Sequence, residues 1–109
     1  MSAAFDIGFE HPRHDGAVLH DTLSVSSSGS ALDVLCACAD ELGLSYEVAL
    51  HAVLGRWLIE LDLILGPIVE LRIGGMWVRP NLSLDCICGS AVQGIRVIDS
   101  SLIGGDPDF

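Results

Sequence analysis

The sequence predicts an α+β protein in which two consecutive helices are flanked by an N-terminal β-hairpin or ribbon and a C-terminal antiparallel meander. Three observations lead there. Apolar residues recur at helical spacing between residues 30 and 65, they alternate with a period of two on either side, and Ser28-Gly29 and Gly66-Pro67 mark the places where the period changes. At 109 residues the chain is one domain's length. It divides into an extended segment 1–28, a helical pair 30–65, a β-meander 68–99 and a loose tail 100–109.

In the first segment Phe5, Ile7 and Phe9 alternate with Asp6, Gly8 and Glu10, and His11 to Gly16 has turn composition. Ala17, Leu19, Leu23 and Val25 then resume the period of two, which suits a hairpin with a six-residue loop.

Ser30, with Asp33 three residues on, is a helix-start signal: the hydroxyl accepts a first-turn amide while the carboxylate reaches back to the chain. Leu32, Leu35, Ala39 and Leu42 form one helical stripe, and Gly43 supplies the left-handed residue that commonly ends a helix. Ser45 and Glu47 then restart the chain as a cap and a first-turn acid. Tyr46, Leu50, Val53, Leu54, Trp57, Leu58 and Leu61 follow at i, i+4, i+7, i+8, i+11, i+12 and i+15, the stripe of a second, amphipathic helix. Those seven residues are the candidate dimer or partner interface.

After Pro67 the period returns to two. Gly74-Gly75 is a primed-turn signal that sets Ile73 opposite Met76, Arg72 opposite Trp77, Leu71 opposite Val78 and Glu70 opposite Arg79. Leu82, Leu84, Cys86 and Cys88 share one face of an expected third strand, and the same counting sets Leu84 against Ile95 and Leu82 against Val97.

Composition bounds the partners. Hydrophobic residues make up 50% of the chain and the mean hydropathy is +0.54, yet the formal charge is −10. A small domain has much surface for its volume, so this apolar content points to a homo-oligomer or a protein partner that covers the excess. There is no lysine, and the five basic residues are arginines. Such a field disfavours nucleic acid and anionic membrane surfaces. Charged residues interrupt every apolar stretch short of a membrane-spanning length, and the start lacks a basic leader, so the expected location is the cytoplasm.

Candidate chemistry is sparse. Cys36 and Cys38 point apart on a helix, whereas Cys86 and Cys88 share a face on a strand; neither spacing suits structural zinc, and buried packing is the plainer expectation. His11, His14 and His20 fall in or near one acidic loop, where a solvated loop is the simpler reading than a metal site. No nucleophile elbow, phosphate-cradling loop or metallohydrolase helix occurs, so no catalytic residue, metal or cofactor is assigned.

Residues Leu35 to Ser45 (LCACADELGLS), continuing as Tyr46 to Leu58 (YEVALHAVLGRWL), resemble the ribbon-helix-helix family of dimeric DNA-binding regulators. Leu35, Cys38, Ala39, Leu42, Gly43, Ser45, Leu50, Val53, Leu54, Trp57 and Leu58 fall where that family places its core and turn. The resemblance implies a strand over Thr22 to Ser26 that pairs with a second copy, with Thr22, Ser24 and Ser26 facing DNA.

The expected function is therefore a small acidic, non-enzymatic protein-binding or regulatory module acting as a homo-oligomer. The alternatives are a ribbon-helix-helix transcriptional regulator and an acidic inhibitor that mimics nucleic acid.

Overall fold

The structure, a computed structural model, describes residues 4–13, 17–26, 29–53, 55–80 and 83–99. It is built mostly of strands, with one α-helix and two sheets among the described residues.

The N-terminal hairpin forms as its alternation predicts. Strands β1 (Ala4–Pro12) and β2 (Val18–Ser26) pair antiparallel from Ala4 opposite Ser26 to Pro12 opposite Val18. Ile7, Phe9, Leu23 and Val25 are buried on one face. His11 and Pro12 belong to the strand rather than to the turn, and His14 lies outside the described residues.

Helix α1 (Ala31–Leu42) has both of the expected ends. The Asp33 N–H donates to the Ser30 hydroxyl at 3.4 Å, and the Ser30 N–H donates to the Asp33 carboxylate at 2.8 Å. Gly43 ends the helix at φ 72°, a conformation that costs glycine nothing. Ala31, Leu32, Val34, Leu35, Cys38 and Ala39 are buried.

The predicted second helix does not exist. Tyr46 to Leu65 instead form a three-stranded antiparallel sheet, β3 (Tyr46–His51), β4 (Gly55–Leu61) and β5 (Ile64–Leu65), in that order. Gly55 has φ 79°, which no right-handed helix contains, and Asp62 and Leu63, at φ 50° and 70°, make the two-residue primed turn between β4 and β5. The sequence fits both periods here, because Trp57, Ile59, Leu61 and Leu63 alternate around Leu58, Glu60 and Asp62, while Leu50, Val53, Leu54, Trp57, Leu58 and Leu61 match a helical stripe. With a strand in its place, the two-helix α+β architecture and the ribbon-helix-helix reading lose their basis: the family needs a helix where this chain has a hairpin.

Strands β6 (Ile68–Ile73) and β7 (Met76–Val78) form a hairpin around Gly74 and Gly75, whose φ values of 60° and 80° are those of a primed turn. Its register is the expected one, with Leu71 opposite Val78, Arg72 opposite Trp77 and Ile73 opposite Met76. The meander stops there. Instead of a third strand, 3-10 turns cover Leu84–Cys86 and Gly89–Ala91, and Leu82 lies outside the described residues. The Ser83 hydroxyl caps the first turn through the Asp85 N–H at 3.2 Å, a local bond that competes with strand pairing.

The last strand, β8 (Gly94–Ile98), enters between β1 and β6, parallel to the first and antiparallel to the second. Ile95 and Val97 therefore face Leu71 and Val69, and not the 82–84 segment. The result is one mixed sheet, β2-β1-β8-β6-β7, in which the first and last described strands share a core. Ile7, Phe9, Leu23, Val25, Leu71, Ile95 and Val97 form the inner face, covered by Val34, Leu35, Cys38 and Ala39 of α1 and by Leu61 of the smaller sheet.

Candidate functional site

The smaller sheet is inserted between α1 and β6 and anchored at two points. At one, the Arg56 guanidinium bridges Asp33 at 2.8 Å and Asp85 at 2.9 Å, joining the start of β4 to the helix N-terminus and the first 3-10 turn. The Ser30 hydroxyl also reaches Asp85 at 2.9 Å. The Arg56 guanidinium holds the Asp85 carboxyl down at about 2, and the Ser30 N–H and the same guanidinium lower Asp33. At the other anchor, His11 is 1% exposed and its Nε2 lies 3.0 Å from Asp62 Oδ2, tying the end of β1 to the β4–β5 turn.

Between these anchors the inserted sheet stands away from the start of β6 and leaves an open groove of about 710 Å³. Trp57 and Leu58 form one wall, Pro67, Ile68 and Val69 another, and Leu84 and Cys86 close the end. Its lining is predominantly apolar, and its volume lies within the usual range for ligand-sized clefts. At its rim Trp57 is 49% exposed, and at the hairpin tip Leu50 and Val53 are 81% and 83% exposed.

The predicted interface residues thus separate. Leu50, Val53 and Trp57 are surface side chains, Tyr46 and Leu58 are half-buried, Leu61 is fully buried in the core, and Leu54 lies outside the described residues. Tyr46 spends its hydroxyl on the Asp40 carboxylate at 3.1 Å. Strand geometry, which sends successive side chains to opposite faces, breaks the single stripe that a helix would have made. Thr22, Ser24 and Ser26 are exposed on the outer face of β2, which is an edge strand of the larger sheet.

The chain matches no family model, no curated protein and no solved structure.

The histidines and cysteines do not converge. His11 is at its buried anchor, His20 lies beside Glu10 at 3.4 Å, and no group of three or more potential metal ligands occurs among the described residues. Cys38 is buried and Cys36 half-buried, but Cys86 and Cys88 are exposed, against the expectation that all four pack inside. The strand that would have buried them is replaced by 3-10 turns on the surface. The groove itself was missed in the sequence. Its one local signal is the clustering of Pro67 and Pro80 with Ile68 and Leu84, whose spacing is unremarkable without the fold. No helix among the described residues is long and apolar enough to cross a membrane.

Proposed function

We propose that this chain is a non-enzymatic protein-binding module whose docking surface is the groove between the inserted sheet and the start of β6. The observation that carries the proposal is that apolar cleft with half-exposed Trp57 in its lining, together with Leu50 and Val53, large side chains left in water toward the tip of the same hairpin. Aromatic anchors beside apolar pockets are the usual energetic centre of a protein interface. The groove itself is lined by Arg79, paired with Glu70 at 3.6 Å, and among the described residues by no carboxylate, so its occupant is an apolar segment. The chain's formal charge of −10 favours arginine or lysine in the flanks that reach the surrounding surface. Four free cysteines, two of them exposed, suit a reducing compartment and support a cytoplasmic location.

A second copy of the chain is the other candidate occupant. It is favoured by Met76 and Val78, exposed apolar residues on the short edge strand β7.

The test is a titration with two synthetic peptides of identical apolar core, one flanked by arginines and one by glutamates. The readout is Trp57 emission in a Trp77→Phe background. Saturable binding of the arginine-flanked peptide, weakened by salt, supports the reading; equal binding of both, or of neither, overturns it. Light scattering on the free protein separates self-association from a foreign partner.

A further inference from the structure

The outer face of the five-stranded sheet, turned away from α1, carries chemistry that the docking groove does not use. Its registers align two rows of side chains across the strands. In one row Glu10, Arg96, Glu70 and Arg79 alternate in sign, with His20 beside Glu10 at its end. Neighbours in that row, counted from His20, lie 3.4, 2.8, 3.3 and 3.6 Å apart. The adjacent row reads Thr22, Gly8, Gly94, Arg72 and Trp77.

Two paired glycines inside a sheet weaken it, since each forfeits side-chain packing and gives up more backbone freedom on folding. Gly94 has a structural reason: a Cβ there would stand 3.2 Å from Trp77 Cη2 and 3.4 Å from Arg72 Cβ. Its bareness admits the indole, on which the Arg96 guanidinium stacks at 4.0 Å from the ring centre. Gly8 has no such reason, because a Cβ there would meet nothing within 4 Å. The open space above it belongs to a trough of about 590 Å³.

The trough is dipolar. At the β6 end Arg72 has no carboxylate partner among the described residues, whereas Arg79 and Arg96 are both paired with Glu70. Beside it Gln93 accepts the Gly75 N–H through Oε1 at 2.8 Å, which leaves its amide NH2 as a donor. At the opposite end the Glu10 carboxylate lines the trough, with Arg96 on Oε2 at 2.8 Å and His20 beside Oε1 at 3.4 Å. Glu10 and Arg72 lie two strand spacings and two residues of register apart, about 12 Å between their backbones. With both side chains reaching inward, that suits a ligand of dipeptide length.

We propose that this trough binds a small zwitterion, a dipeptide, with its carboxylate on Arg72 and Gln93, its ammonium toward Glu10, and its backbone over Gly8. The Trp77 indole walls one side and limits the approach of bulkier ligands.

The experiment titrates the full chain with glycylglycine, N-acetylglycylglycine and glycylglycine amide, following the amide resonances of Gly8 and Gly94 and the Trp77 indole N–H. Glycylglycine is expected to shift all three saturably. Each blocked peptide is expected to bind at least about tenfold more weakly, the size of one lost charge-assisted contact. Arg72→Gln should remove the shifts. So should Gly8→Val, which fits the free strand and fills the slot while leaving the spectrum of a folded sheet. Absence of saturable shifts with glycylglycine, equal binding of either blocked form, or undiminished binding in Gly8→Val overturns the proposal.

Discussion

Arg56 grips both oxygens of Asp85, Nη2 to Oδ1 at 2.9 Å and Nε to Oδ2 at 3.4 Å, while its backbone N–H donates to Oδ2 at 3.0 Å. Side chain and main chain of one residue thus converge on one carboxylate, and the inserted sheet takes its position from that grip. The neighbouring Gly55 makes room for it: a Cβ there would lie 2.9 Å from Asp85 Oδ2, at a φ of 79° that side-chain-bearing residues avoid. Gly55→Ala is expected to destabilise the protein by more than about 1 kcal/mol, read from the denaturant midpoint.

The same carboxylate sets a pH dependence. Asp85 is depressed from 3.8 to about 2 in the folded chain, so its contribution is complete above pH 3.8 and is lost as pH falls through about 2. Asp33, lowered from the same ordinary value, acts in the same direction. Stability should rise with pH across that window, and the slope should flatten in Asp85→Asn. An unchanged slope in the variant would show that the grip is not made in solution.

The β4–β5 turn holds a leucine where glycine is preferred. Leu63 sits at φ 70°, exposed, after Asp62 at φ 50°. Leu63→Gly should raise stability by roughly 1 kcal/mol by removing the left-handed penalty, measured by thermal or denaturant unfolding.

Leu61 and Leu50 separate the observed sheet from a helix most sharply. A helix would set both on one stripe, whereas here Leu61 is fully buried in the core and Leu50 is 81% exposed. Leu61→Ala should cost about 2–5 kcal/mol and Leu50→Ser less than about 0.5 kcal/mol. Equal costs would restore the helix.

Which parts of the fold were legible follows from how local their causes are. The Ser30–Asp33 capping box, Gly43 and the Gly74-Gly75 register each depend on residues within a few positions, and all three are found as read. Tyr46 to Leu61 failed because alternating and helical templates both fit a short apolar run, and the deciding bonds come from Asp85 and Asp33, distant in sequence. The parallel pairing of β8 with β1 joins residues 86 positions apart, as at Arg96 and Glu10, so no local pattern announces it. The groove inherits both difficulties, since its walls are the misread hairpin and the segment that was expected to be a strand.

The cysteines offer a chemical check on the 3-10 segment. Burial pushes the Cys38 thiol up to about 12, while the Ser90 hydroxyl 3.0 Å from exposed Cys88 lowers that thiol from its ordinary value. The thiolate is the reactive form, so alkylation of the folded protein should label Cys88 first as pH is raised and leave Cys38 unmodified. Peptide mass mapping reads the order; early labelling of Cys38 would contradict the packing of α1.

The most direct measurement of the docking proposal is a cross-linked pull-down from the native host, with the wild-type chain and Trp57→Ser, at low and high salt. The expected result is a basic protein whose cross-links fall on the groove and hairpin tip, weakened by salt and lost in Trp57→Ser, with both chains equally stable. A partner that survives Trp57→Ser undiminished, or that cross-links to a different face, would contradict the assignment.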